Sequence, residues 1–266
     1  MINQSLKKLP RALLLVLLVL AIIYSEAIAA PLPGLGDDGW YTWRVEAVDG
    51  NTIRCCTNWN HGDATRTCNL DDRRSSTTCG GSQSSDEAQI YVRTEAGEVT
   101  KIRTLSPQCP VDAESSIQEI DPIDNATSVD WLNSRISPGS DLSEDAIAAI
   151  AAHAGTESFA VLRDTARSNN DAETREQALF RMAATARSGS EAEIFRAIAR
   201  DPSQKVREEA VFAMSLLPGE RGLGGLIAVL ENRSYEMRVR EQALFWLAQS
   251  DSDEAFDYVD GLLGAN

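Results

Sequence analysis

The chain has 266 residues, 43 % of them apolar, and a formal net charge of −15. That apolar share supports a packed core and excludes wholesale disorder. The acidic balance excludes nucleic acid and anionic lipid as electrostatic partners and suits cationic ones.

Lys7, Lys8 and Arg11 precede an uncharged apolar run from Ala12 to Ile23. Ala27-Ile28-Ala29 then supplies small residues where a signal peptidase reads. The run is short for a membrane span, so residues 1–29 are expected to be a cleaved secretory signal. The alternative is an uncleaved inner-membrane anchor. Export puts the mature chain in the periplasm or outside the cell, with no membrane association after cleavage. Residues 30–38 read as a Pro/Gly-rich leader.

Residues 39–110 are expected to form a small antiparallel β domain. Strand-forming text covers 40–45, then a turn signal at Asp49-Gly50-Asn51 and a return strand over 52–57. A second hairpin joins 88–94 to 98–105 around Glu95-Ala96-Gly97. All five cysteines, Cys55, Cys56, Cys68, Cys79 and Cys109, lie in this region. In an exported chain that clustering predicts disulfides stapling a thin core, with an odd thiol left over. A zinc site built from Cys55, Cys56, His61, Cys68 and Cys79 is disfavoured, because the spacings lack paired C-x2-C ligands. Residues 111–140 are expected to be a connector. It carries a short helix over 128–135, with Ser128 as its cap and Trp131 and Leu132 turned inward.

From residue 141 the text turns Ala-rich, with helical periodicity. Three blocks align without gaps: TREQALFRMA from Thr174, VREEAVFAMS from Val206 and VREQALFWLA from Val239. A weaker copy, SEDAIAAIAA, starts at Ser143. Ser143, Arg175, Arg207 and Arg240 thus recur at about 32-residue steps. Leu162, Ile194, Leu226 and Val259 occupy equivalent places in the second helix of each unit. Each unit reads as helix, turn, helix, and stacking lets neighbours cover each other's apolar stripe. Leu179, Met182, Val211, Met214, Leu244 and Leu247 are expected in the core, Leu244 at about 2–5 kcal/mol if truncated to alanine. The fold class is therefore α+β: a disulfide-stapled antiparallel β domain, then an all-α solenoid of about four helix pairs over 141–266.

VREEAVFAMS and VREQALFWLA resemble the HEAT-like repeats of bacterial proteins and of the phycobilisome-lyase HEAT group. The text from Trp40 through Cys55-Cys56 to SPQCPVD is similar to the cysteine-bearing region of exported bacterial HEAT proteins, some of them encoded beside extracytoplasmic sigma-factor systems. That resemblance implies two bridges among Cys55, Cys56, Cys68 and Cys109, in unspecified pairing, with Cys79 as the free thiol.

The only histidines, His61 and His153, lie in a polar loop and at the end of an Ala-rich helix, neither with the context of an activated nucleophile. Asp251, Asp253 and Glu254 lack the calcium-loop pattern and read as a helix start. GERGLGG from Gly219 lacks the strand a phosphate loop needs and reads as a turn opening a helix. No catalytic residue, metal or cofactor is expected. Arg175, Arg207 and Arg240 recur as a ladder expected to bridge neighbouring units. Phe180, Phe212 and Phe245 recur away from the inward face, with Trp246 beside the last. They either fill the grooves between successive first helices or form an exposed partner-binding ridge. The function expected is a non-catalytic interaction scaffold of the bacterial envelope, its partner another envelope protein and its oligomeric state open. The alternatives are a thiol-based envelope-stress or signalling accessory and, remotely, a lyase-like enzyme.

Overall fold

The computed structural model describes Leu32, residues 35–49, Cys55, residues 67–72 and residues 85–264. The expected signal segment, Cys56, His61, Cys79 and most of the return strand expected over 52–57 lie outside these residues.

The sheet grows around β1 (Gly39–Glu46), whose Trp, Tyr and Val residues favour extended backbone. It pairs antiparallel with β3 (Glu87–Glu95), which pairs antiparallel with β4 (Glu98–Leu105). The loop between β3 and β4 is Ala96-Gly97, with both residues at positive φ, the conformation that matches strand twist in a two-residue hairpin. β2 (Cys68–Asn69) pairs parallel with β5 (Val111–Asp112), and β6 (Ile117–Glu119) lies parallel to the other edge of β1. The sheet is therefore mixed, in the order β4-β3-β1-β6, and not purely antiparallel. Cys55, the one described residue of the return strand expected over 52–57, is not in a strand. The stretch expected as a plain connector contributes β5 and β6.

Alternation along the strands gives the sheet two apolar faces. Tyr41, Trp43, Val45, Ile90, Val92 and Ile102 join the main core with the helices. Trp40, Tyr91 and Leu105 point the other way, into a small second core with Cys68, Leu70 and Cys109.

Nine helices follow among the described residues. The first, α1 (Asn125–Asn133), begins earlier than expected. Asp124, not Ser128, caps it, accepting hydrogen bonds from the Thr127 N–H at 2.9 Å and the Thr127 hydroxyl at 2.8 Å. Trp131 and Leu132 do point inward, and the Trp131 ring meets Trp43 edge-on at 5.7 Å. Then come α2 (Asp141–Ala152) and α3 (Thr156–Ser168), α4 (Ala172–Ala184) and α5 (Ser190–Arg200), α6 (Gln204–Ser215) and α7 (Glu220–Glu231), α8 (Met237–Ala248) and α9 (Asp253–Gly264). Each pair packs as a hairpin, while α2, α4, α6 and α8 contact one another in succession. The first pair leans on the sheet through α2 and β4, so sheet and helices share one core within the compact unit of residues 32–266.

Local chemistry repeats with the pairs. Gly155, Gly189 and Gly219 precede α3, α5 and α7, each at positive φ. The residues ending those helices are Asn169, Asp201 and Asn232, and each side-chain Oδ1 accepts the N–H two residues on, at 2.9–3.0 Å. This is an Asx turn at the same place in the first three pairs. Leu162, Ile194 and Leu226 are buried, and Val259 is half-buried against the same core.

Of the expected core, Leu179, Met182, Val211, Met214 and Leu247 are sealed, but Leu244 is 39 % exposed. The equivalent residues Leu179 and Val211 lie on first helices followed by another first helix. No described helix follows α8 in that way, so truncating Leu244 opens no sealed cavity and the 2–5 kcal/mol expectation does not hold.

Candidate partner-binding surface

The recurring arginines come from the first turns of α4, α6 and α8, and each crosses a junction. Arg175 is 6 % exposed and grips Asp201, which is 4 % exposed, through Nε and Nη2 at 2.9 and 2.8 Å. Its third nitrogen donates to the Asn169 carbonyl at 2.8 Å. The hydrogen bonds to Asp201 hold the guanidinium pKa above its ordinary value. Arg207 repeats the carbonyl contact, to Asp201 O at 2.7 Å, and reaches Glu236 at 3.0 Å. Arg240 donates to Leu230 O at 2.8 Å. Arg175 has all three nitrogens engaged inside the protein and little left for a ligand, whereas the Arg240 bond uses Nε alone.

The aromatic residues form one continuous run across α4, α6 and α8. Phe180 stacks on Phe212 with ring centroids 6.2 Å apart and planes at 18°. Phe212 meets Trp246 at 4.7 Å, and Trp246 meets Phe245 edge-on at 5.0 Å. Phe180, Phe212 and Trp246 are half-buried, whereas Phe245 is 50 % exposed. Trp246, not Phe245, is the next ring in contact with Phe212, and Phe245 lies on its solvent side. At the opposite end the Arg181 guanidinium lies 5.3 Å from the Phe180 ring, and burial lowers its pKa. The run thus has both characters read from the sequence, groove-filling in its first members and exposed at its last.

The cysteine region is a clamp. Cys55 and Cys109 are joined, 54 residues apart in sequence, and Cys68 is also disulfide-bonded. Cys55 and Cys68, two members of the disfavoured zinc set, are thus held in disulfides. These bonds point to an oxidising, extracytoplasmic compartment. Among the described residues no helix is long and apolar enough to cross a membrane. Beside the bridge, Asp71 ties the loop to the sheet. It accepts from the Trp40 indole at 3.0 Å, Arg93 at 2.6 Å and the Glu114 N–H at 2.7 Å, while Lys101 donates to its backbone carbonyl at 2.5 Å. Burial alone would raise its pKa. The hydrogen bonds from Glu114 and Trp40 and the charges of Arg93 and Lys101 outweigh that and hold it below the usual carboxylate value. Asp71 stands in a polar stretch of sequence that does nothing to single it out.

His153 is the other residue whose place the sequence did not foretell. It is fully buried, with Nδ1 2.7 Å from Ala149 O and Nε2 2.8 Å from Ser128 Oγ. Ser128 also accepts the Trp43 indole N–H at 2.9 Å. A carbonyl can only accept, so Nδ1 carries the proton, Nε2 accepts from the serine, and neutral imidazole satisfies every group. The pair has the spacing of a nucleophile and its base. Its orienting group, however, is a carbonyl, both side chains are sealed from solvent, and burial pushes the imidazole pKa down to about 4. It acts as a staple joining β1, α1 and α2. The folded-state pKa lies below the unfolded value near 6.5, so this stability is complete above pH 6.5 and is lost as pH falls toward 4. The loss amounts to about 3 kcal/mol. Chemical denaturation at stepped pH will show this slope, and His153→Gln will flatten it.

No protein-family model matches the chain, and no curated protein matches it.

Proposed function

We propose that this chain is an exported, non-catalytic interaction scaffold, in which residues 141–266 form a HEAT-like solenoid and the partner is another protein of the bacterial envelope. The solenoid reading is supported by the recurring Asx turns, the recurring positive-φ glycines and the equivalent buried places of Leu162, Ile194 and Leu226. Stacked pairs of this kind present extended surfaces suited to binding other chains. The periplasm, reached through cleavage of residues 1–29, fits both the disulfide and the apolar N-terminal text.

The observation that carries the binding role is the aromatic run ending in a half-exposed Phe245 beside Trp246. Packed aromatic side chains left open to solvent are typical anchors of protein interfaces. Affinity capture of the tagged protein from envelope extract, under non-reducing conditions, tests this. The wild type is expected to retain a partner that Phe245→Asp loses, with unchanged circular dichroism. Equal capture by both proteins would remove the ridge from the interface.

A further inference from the structure

A cleft opens where the α6–α7 turn meets the α8–α9 turn, with a volume of about 420 Å³. Phe212 and Trp246 form its aromatic wall, Leu216 and Leu223 extend the apolar lining, and Glu220 and Glu254 supply carboxylates. Among the described residues no lysine or arginine lines it. The Trp246 indole N–H is buried, with no acceptor among the described residues. Leu216, 37 % exposed, lies on the cleft, and Phe245 continues the aromatic surface beyond Trp246.

Acid surrounds this end of the molecule. Residues 251–266 contain Asp251, Asp253, Glu254, Asp257 and Asp260 and no lysine or arginine. Phe256 and Leu262 of α9 are 70 % and 42 % exposed. A second copy docking here through the same face would set those acids against each other, which disfavours self-association. Aromatic rings with nearby carboxylates suit a cation, by cation–π attraction and by charge. The same run already holds one guanidinium, Arg181, over Phe180 at its far end. An inorganic cation would leave the apolar wall of Phe212, Trp246, Leu216 and Leu223 uncovered, whereas an amphipathic peptide brings apolar side chains beside its charge.

We propose that this cleft is the anchor site for a basic, amphipathic segment of the partner protein, seating one arginine or lysine between Trp246, Phe212 and the Glu220 and Glu254 carboxylates. The proposal rests on the scaffold reading and names the partner chemistry for it. The flanking apolar residues of such a segment would cover Phe245 and Leu216.

The test uses a fluorescein-labelled 18-residue peptide of leucine and arginine in helical spacing, and its leucine–glutamate counterpart, read by fluorescence anisotropy against the purified protein. The basic peptide should bind and the acidic one should not. Glu220→Gln/Glu254→Gln should weaken binding about tenfold. Glu98→Gln/Glu119→Gln, an equal charge change on the sheet, should leave it within about twofold, which separates a site from diffuse attraction. Trp246→Ala, which removes the larger ring of the aromatic wall, should weaken binding at unchanged circular dichroism. Equal binding of both peptides, or equal weakening by both double variants, would overturn the site. If the envelope partner is still captured through Phe245 while the basic peptide fails, the partner chemistry is wrong and the scaffold reading stands. If capture fails and the peptide binds, the converse holds.

Discussion

Replacing Asp201 by alanine is expected to cost about 3–5 kcal/mol, because it leaves the buried Arg175 guanidinium without its counter-charge. Asp201 does two jobs. Its carboxylate takes both parallel hydrogen bonds from Arg175, and its Oδ1 also holds the Ser203 N–H in the turn before α6. Asp201→Asn separates them, since the amide oxygen can keep the turn but carries no charge. Most of the loss should therefore persist in Asp201→Asn. The double variant Arg175→Met/Asp201→Asn should recover much of it, because it removes the stranded charge and fills the space with apolar volume. Urea denaturation of the three variants checks this. A loss of less than about 1 kcal/mol in Asp201→Asn would show that the pair is dispensable.

The second large effect belongs to the clamp. The Cys55–Cys109 bond closes a loop with a sequence separation of 54 residues, and in the chain-entropy account such a crosslink stabilises by about 4 kcal/mol. Cys55→Ser/Cys109→Ser should lose most of that. The damage should be local as well as global. Trp40, Leu70, Tyr91 and Leu105 form a core with few members, and the bridge is one of its walls. Amide exchange should accelerate first in residues 67–72 and 109–113, while α4, α6 and α8 keep their protection. Exchange that rises uniformly through the helices, or stability that does not change, would contradict the assignment of the bridge as the lid of that core.

The helical half was legible because its signals are local and repeated. Asn169, Asp201 and Asn232 mark turns wherever they occur, and apolar residues four apart define an inward face without reference to the rest of the chain. What failed to show in the sequence depends on neighbours. Leu244 is the repeat equivalent of Leu179 and Val211, yet burial comes from the next helix and not from the repeat position. That Trp246 rather than Phe245 continues the ring contacts from Phe212 is likewise a matter of neighbours, which no helical wheel records. β6 is three residues long and parallel, too short for alternation to register. The Trp43–Ser128–His153 staple joins residues 85 and 25 positions apart, and each looks ordinary in its own segment. Ser128 read as a helix cap because serine often is one; Asp124, four residues earlier, makes the stronger bond with its charge.

We propose that the aromatic end of the stacked pairs is where this protein meets its partner. Hydrogen exchange of the captured complex, compared with the free protein, checks this: exchange should slow in 212–224 and 242–254, with the sheet and α1 unchanged. Protection confined to β1, β3 or the disulfide loop, with the ends of α6 and α8 exchanging as before, would contradict it.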